Sequence, residues 1–269
     1  MTKTILITGA TDGIGFETAK LLAAQGHTLL IHGRNEAKLT DAQEHLSGIA
    51  GAGKIETYRA DLTKMSEVEG LAQEVSENQA AIDVVINNAG VFAVSNPQTP
   101  QGHDVRFVVN TVAPYLLTRH LLPLMGSDSR VVNLSSAAQA PVDLQALAGK
   151  VQLDDNQAYA QSKLALTMWS FNMAQALGPD APAIIAVNPA SFLGSKMVKQ
   201  AYGIAGNDLS VGADILVRAA LSEEFADGSG KYFDNDIGQF SDPHQDALDS
   251  AKNEAVVKAI EAVLAELLS

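Results

Sequence analysis

Tyr159 and Lys163 stand four residues apart in Tyr159-Ala160-Gln161-Ser162-Lys163. The stretch 158–177 is patterned as a helix, so the phenol and the amine share one helix face. A phenol of ordinary pKa, about 10, is a poor base at neutral pH. An ammonium beside it favours the phenolate. Such a phenol takes a proton from an alcohol or gives one to a carbonyl oxygen. The same pair also arises by chance on exposed helix faces, so it needs context. Ser135 and Ser136 end an apolar run. Neighbours in a strand point to opposite faces, so only one of these hydroxyls lines a common site. Asn110 lies in Val108-Val109-Asn110-Thr111 within a helical pattern. Asn is a poor interior helix residue because its side chain competes for backbone hydrogen bonds.

A second group is built to hold an anion. Thr8-Gly9-Ala10-Thr11-Asp12-Gly13-Ile14-Gly15 follows an apolar run and opens into a helical pattern. Glycines let the backbone turn sharply and approach a pyrophosphate, while the helix N-terminus supplies unpaired N–H groups. The spacing is GxxxGxG rather than the common GxGxxG. A plain strand–turn–helix corner is the alternative. Arg34, in Ile31-His32-Gly33-Arg34-Asn35, ends the second apolar run where an Asp or Glu would bind the ribose hydroxyls of NAD. An Arg there pairs instead with the 2′-phosphate of NADP.

These groups need a scaffold. Strands are predicted over residues 4–8, 28–32, 55–59, 82–87, 130–135, 183–188 and 231–234, and helices over 14–25, 36–46, 66–78, 105–125, 158–177, about 211–221 and 245–268. Continuous apolar strands alternating with helices predict an α/β, doubly wound parallel sheet of Rossmann type, covered on both faces. No linker or repeat divides the chain, so residues 1–269 read as a single domain. An inserted loop is expected at 137–156, a second irregular segment at 191–208 and a C-terminal helix at about 245–268.

Composition narrows the chemistry. The 269 residues contain no Cys, which excludes disulfides and thiolate nucleophiles. The six His show no HxxxH or HxH pair, so no metal site is expected. A net charge of −13 disfavours nucleic acid as a partner. The first apolar run is too short for a signal peptide or membrane span, so no membrane association and a cytoplasmic location are expected.

Three motifs in order carry a resemblance. Thr8-Gly9-Ala10-Thr11-Asp12-Gly13-Ile14-Gly15, Asn87-Asn88-Ala89-Gly90 and Tyr159-Ala160-Gln161-Ser162-Lys163 are similar to the cofactor, NNAG and YxxxK motifs of the short-chain dehydrogenase/reductase family. The resemblance covers nearly the whole chain. It implies hydride transfer between NADP(H), with NAD(H) the lesser alternative, and a small-molecule carbonyl or secondary alcohol. It implies Tyr159 as acid or base and Lys163 as its electrostatic partner and ribose ligand. Ser136, rather than Ser135, orients the substrate oxygen. Asn110 holds a water in a proton relay behind the Lys. Cofactor contacts are expected from Gly9, Thr11, Asp12, Gly13, Ile14, Gly15, Arg34, Asn35, Asn88, Ala89, Gly90 and Pro189. Asp61 and Leu62 match the adenine-contacting pair, although Asp61 is equally suited to an N-cap.

Several residues depart from the family pattern. Asp12 sits where many NADP-preferring members carry a basic residue or Ser. Asn188-Pro189-Ala190-Ser191-Phe192-Leu193-Gly194-Ser195 has Ala190 in place of the usual Gly, and a Ser roughly where a Thr contacts the carboxamide. Ala at 190 is costly only if its φ is positive. The long gap between Ser136 and Tyr159, together with Ser229-Gly230-Lys231-Tyr232-Phe233, resembles the retinol-dehydrogenase-like branch. Phe192, Tyr202 and the 137–156 insertion are expected to shape the substrate pocket. Members often pair through two long helices, so a homo-oligomer is allowed. A catalytically silent nucleotide sensor is the reading from another class. The presence of Asn110, Ser136, Tyr159 and Lys163 together argues against it.

Overall fold

The computed structural model describes residues 1–194, 203 and 205–269. Eight strands form one sheet: β1 (Thr4–Ile7), β2 (Thr28–Gly33), β3 (Ile55–Arg59), β4 (Val84–Asn87), β5 (Arg130–Leu134), β6 (Ala183–Asn188), β7 (Tyr232–Asp234) and β8 (Gln239–Ser241). Their order is β3-β2-β1-β4-β5-β6-β7-β8. All pairings are parallel except β7–β8. The order reverses between β1 and β4, which opens a crevice at their C-terminal ends, where such sheets bind ligands. This is the predicted α/β Rossmann-type architecture, and the described residues form a single domain around it.

Strand residues alternate between two cores. Leu6, Leu30, Val85, Val131 and Ile184 face one cluster. Ile5, Ile7, Leu29, Ile31, Val84, Ile86, Val132, Ile185 and Val187 face the other. Burial on both faces explains why the strands read as continuous apolar runs. One face is covered by α1 (Gly13–Ala24), α2 (Glu36–Ser47) and α8 (Leu209–Leu221). The other is covered by α3 (Met65–Asn78), α5 (Ala113–Leu121), α7 (Asp155–Leu177) and the C-terminal α9 (Ser250–Leu267).

Three expectations need correction. The helix expected over 105–125 is α4 (Val105–Phe107), one turn of π-helix (Val108–Val112), α5, and a 3₁₀ turn (Leu122–Leu124). The expected loop at 137–156 contains α6 (Leu144–Leu147), capped by Asp143, with Ala146 and Leu147 buried in the larger core. Burial of a short apolar turn, invisible to helical periodicity, orders it. The C-terminal helix begins at Ser250, after a separate 3₁₀ turn at Gln245–Leu248. The antiparallel β8 was not anticipated. Phe240 fixes it by packing on Phe225 and Phe233, with centroids 5.3 and 5.2 Å away.

Candidate active site

The crevice starts at the turn after β1. Gly9 and Gly13 have φ of +66° and +58°, a region that L side chains rarely adopt. A methyl on Gly13 would meet nothing within 4 Å, so the turn has open space on that side for an anion at the N-terminus of α1. Gly15 has no such room. A Cβ there would lie 2.3 Å from Asn88 Nδ2 and 2.5 Å from the Gly9 carbonyl oxygen.

The Asn87–Gly90 motif locks this turn from the side of β4. Asn88 Nδ2 donates to the carbonyls of Thr8 (2.8 Å) and Gly9 (3.1 Å). The Ala89 N–H donates to Thr8 Oγ1 at 3.0 Å. Asn88 therefore serves the turn's shape with its amide nitrogen. Asn87 points away from the crevice, into a buried chain of amides: its Nδ2 donates to Asn133 Oδ1 (2.7 Å) and Thr118 Oγ1 (3.1 Å).

A residue that the sequence did not single out holds the turn from below. His32 is buried on β2. Its Nε2–H donates to the Ala60 carbonyl (3.0 Å), which leaves Nδ1 to accept the Gly9 N–H (3.3 Å). Burial lowers its pKa to about 4, so the ring is neutral and ties together the ends of β1, β2 and β3. A His within an apolar strand was the only sign of this in the sequence.

Tyr159 and Lys163 share a face of α7, as their spacing predicts. Lys163 Nζ lies 5.8 Å from the Tyr159 ring centroid. It is 5% exposed and donates to the Leu134 carbonyl at the end of β5 (2.6 Å). Burial lowers its pKa to about 8. Gly90 comes alongside: a Cβ there would lie 3.5 Å from Lys163 Nζ and 3.4 Å from Asn110 Oδ1. Phe92, also not foreseen, packs on the Tyr159 ring with centroids 4.8 Å apart.

Asn110 sits in the π-helical turn and bonds across the fold rather than within its own helix. Its Oδ1 accepts the Val91 N–H (2.8 Å), and its Nδ2 donates to the Val91 carbonyl (2.9 Å) and Ser162 Oγ (3.0 Å). The amide is thus engaged in pinning the chain after Gly90 to α7. The two serines separate as alternation requires. Ser135 Oγ faces Thr167 Oγ1 at 2.7 Å, inside the core. Ser136 is only partly buried and accepts the Ala138 N–H (3.1 Å). The Ser136 carbonyl is held by Tyr232 Oη (3.1 Å) and Gln139 Nε2 (2.9 Å).

Arg34 is exposed just past β2, and Asn35 caps α2 by accepting the Lys38 N–H (3.0 Å). Thr11 packs under this corner, where its methyl would lie 2.7 Å from a Cβ on Gly33. Ile14 lies on the first turn of α1 against Gly212 of α8. Asp12 is the N-cap of α1, and its carboxylate lies 3.9 Å from Lys38 Nζ, which offsets its charge. Asp61 is not an N-cap: Lys64 precedes α3, and Asp61 Oδ1 accepts from Thr63 N–H (3.0 Å) and Oγ1 (2.8 Å). Three residues intervene between Asp61 and the helix start, too far for a cap. Leu62 beside it is buried.

The loop after β6 carries Pro189 and the departure at Ala190. Ala190 adopts φ +117°, and Phe192 adopts φ +53° and is 51% exposed. Conformations of this kind cost on the order of 1–3 kcal/mol for a non-glycine residue. Tyr202 and Ser195 lie outside the described residues. Among the described residues, no group of His, Asp and Glu could hold a metal ion, and no helix is long and apolar enough to cross a membrane.

A nucleotide-binding crevice at the strand reversal, with a tyrosine–lysine pair beside it, defines a dinucleotide-dependent oxidoreductase class. A family model described as short chain dehydrogenase matches residues 3–203, and the chain belongs to that family. Human retinol dehydrogenase 13 is 28% identical over 258 residues, covering 86% of this chain and 76% of the relative. Human polyprenol dehydrogenase is 29% identical over 251 residues, covering 86% and 76%. Mouse retinol dehydrogenase 12 is 30% identical over 251 residues, covering 86% and 77%. The similarity therefore extends to the retinol-dehydrogenase-like branch. A protein of known structure from Mycobacterium paratuberculosis superposes with TM-score 0.79 at 26% identity, covering 97% of this chain and 92% of that one. The angucycline C-6 ketoreductase LanV with bound NADP superposes with TM-score 0.70 at 25% identity, covering 87% and 93%.

Proposed function

We propose that this oxidoreductase transfers a hydride between NADP(H) and a carbonyl or secondary alcohol, with Tyr159 as the proton donor or acceptor. The observation that carries the reading is the buried Lys163 ammonium, which sits beside the Tyr159 ring and against Gly90 of the corner that locks the glycine turn.

The residues at the crevice fit a dinucleotide. The turn from Gly9 to Gly15, with Thr11, Asp12, Gly13 and Ile14, would hold the pyrophosphate at the N-terminus of α1. Arg34 and Asn35 would take the adenosine 2′-phosphate, while Asp61 and Leu62 would flank the adenine. Asn88, Ala89, Gly90 and Pro189 would line the path to the nicotinamide. The reduced nicotinamide, when bound, supplies the hydride. Ser136 then donates a hydrogen bond to the substrate carbonyl oxygen, and Tyr159 delivers the proton as negative charge grows there. Lys163 stabilises the phenolate left behind and would hold the ribose of the bound nucleotide. Asn110 keeps the chain after Gly90 docked against α7. In the reverse direction Tyr159 takes the alcohol proton.

The choice of NADP(H) rests on Arg34, which is exposed at the strand end while the nearby Asp12 charge is offset by Lys38. The NADP bound by the LanV ketoreductase agrees with it. The test is nucleotide binding by fluorescence, followed by a carbonyl panel scored by NADPH oxidation. NADPH should bind at least about tenfold more tightly than NADH, a difference of about 1.4 kcal/mol. Arg34→Asp should reverse the order. Tyr159→Phe should remove turnover and leave binding intact. Tight NADH with weak NADPH would refute the Arg34 argument. Nucleotide binding with no turnover on any carbonyl would favour the sensor reading.

A further inference from the structure

The loop after β6 holds a backbone geometry that its sequence disfavours. Ala190, with φ +117°, stands where glycine would carry no penalty. A strained residue persists only when its surroundings over-determine it; Asn207 Nδ2 holds the Ser191 carbonyl (3.1 Å), and the other bonds to residues 188–191 come from one short segment. Asp236 Oδ1 accepts the Ser191 N–H (2.7 Å), and its Oδ2 accepts from Ser191 Oγ (2.6 Å) and Asn188 Nδ2 (2.9 Å). Asp234 Oδ1 accepts from the same Asn188 amide (2.8 Å). Asn235 adds its N–H to the Asn188 carbonyl (3.1 Å) and its Nδ2 to the Pro189 carbonyl (3.0 Å). Residues on both sides of Ala190 are therefore gripped by the three residues that end β7 and begin the turn to β8. The bonds to Asp236 are charge-assisted, and those from Ser191 and Asn188 hold its carboxyl below the usual carboxylate range against the opposing effect of burial.

We propose that Asp236 is a positioning residue for the nicotinamide end of the site: its carboxylate spans Asn188 and Ser191 and thereby holds Ala190 in its left-handed conformation. It acts through the loop and touches neither substrate nor cofactor. This role rests on the reading of Pro189 and its neighbours as the nicotinamide-side loop. It explains how an alanine is accommodated at a position suited to glycine. It also gives the turn between β7 and β8 a task in the reaction, beside the hold of Tyr232 Oη on the Ser136 carbonyl (3.1 Å).

The test is a double-substitution cycle with Asp236→Asn and Ala190→Gly in the full chain. Asp236→Asn replaces one acceptor oxygen with a donor and frees the loop to relax. It should lower kcat/KM about tenfold or more, the effect of losing charge-assisted bonds. Ala190→Gly removes the strain, so the loop no longer needs the carboxylate. The double variant should recover most of the lost activity, which a purely structural role of Asp236 would not produce. Failure of Ala190→Gly to rescue, or full activity in Asp236→Asn alone, would overturn the proposal. A second readout needs no nucleotide: with 13C-labelled alanine, the Ala190 carbon shifts should report a positive φ in the natural protein and move to ordinary values in Asp236→Asn. Unchanged shifts would also overturn the proposal. Absence of dinucleotide binding by the natural protein, with the shift change still seen, would refute the cofactor reading and leave the brace standing.

Discussion

Lys163 shows how the burial of a single charge bears on stability. Its ammonium is 5% exposed and donates to the Leu134 carbonyl. Desolvation lowers the pKa to about 8, against 10.5 for a free lysine. A charge held in such a place costs stability while it remains protonated. The unfolded chain keeps its proton up to about 10.5, whereas the folded chain releases it near 8, so the penalty is present at neutral pH and fades as pH rises between those values. Lys163→Met should therefore melt no lower than the natural protein at pH 7. Any advantage it has there should shrink by pH 10, as thermal melts at the two pH values would show. The same variant should lose at least about a hundredfold in kcat/KM, the scale of a lost acid–base or electrostatic contribution. A variant that melts well below the natural protein at pH 7 would mean that the lysine is structural.

At the scale of elements, the turns after β1, β2 and β3 form one unit, and His32 joins them. The imidazole works only when neutral, because Nδ1 must accept from Gly9 while Nε2–H serves Ala60. Its pKa is about 4 in the folded chain, against 6.5 for a free histidine. As pH falls through that window, the unfolded chain takes up a proton that the folded chain refuses, so stability drops and then levels off below about 4. The contribution is up to about 3 kcal/mol over the window. Denaturant melts at several pH values should show a shallower decline for His32→Gln than for the natural protein between pH 6.5 and 4. An equal slope in both would remove His32 from this role. The π-helical turn at Val108–Val112 belongs to the same scale. It is the element that carries Asn110 to Val91 and Ser162, and such turns often sit at functional sites.

At the scale of the whole molecule, α9 closes the core on one side of the sheet. Val256, Ile260, Val263 and Leu264 enter the larger cluster. Glu261 accepts from Tyr115 Oη and Arg119 Nη1 of α5, both at 2.5 Å. Pairing of two copies through α5 and α7 would have to share that face with α9. Ile260 is fully buried, so Ile260→Ala should lower the unfolding free energy by about 2–5 kcal/mol. It should leave nucleotide affinity unchanged, because α9 lies on the sheet face away from the turn. Denaturation together with NADPH titration would check both. A loss of affinity without a loss of stability would place α9 in the site instead.

The sequence by itself determined the alternation of strands and helices, the parallel sheet, the glycine turn and the facing of Tyr159 with Lys163. Each of these follows from local periodicity, glycine's conformational freedom or helical spacing, none of which needs distant residues. Other features were decided only when remote segments met. Burial made His32 a neutral clamp and drew Lys163 down to about 8. Alternation past the end of β5 left two serines, and the packing of Thr167 against Ser135 buried that one while Ser136 stays partly exposed. Packing also turned an expected loop into α6, and three residues some 45 positions away held Ala190 at a positive φ. Hydrogen bonds between residues so far apart leave no periodic trace in the chain, because each depends on a geometry that exists only once both partners are in place.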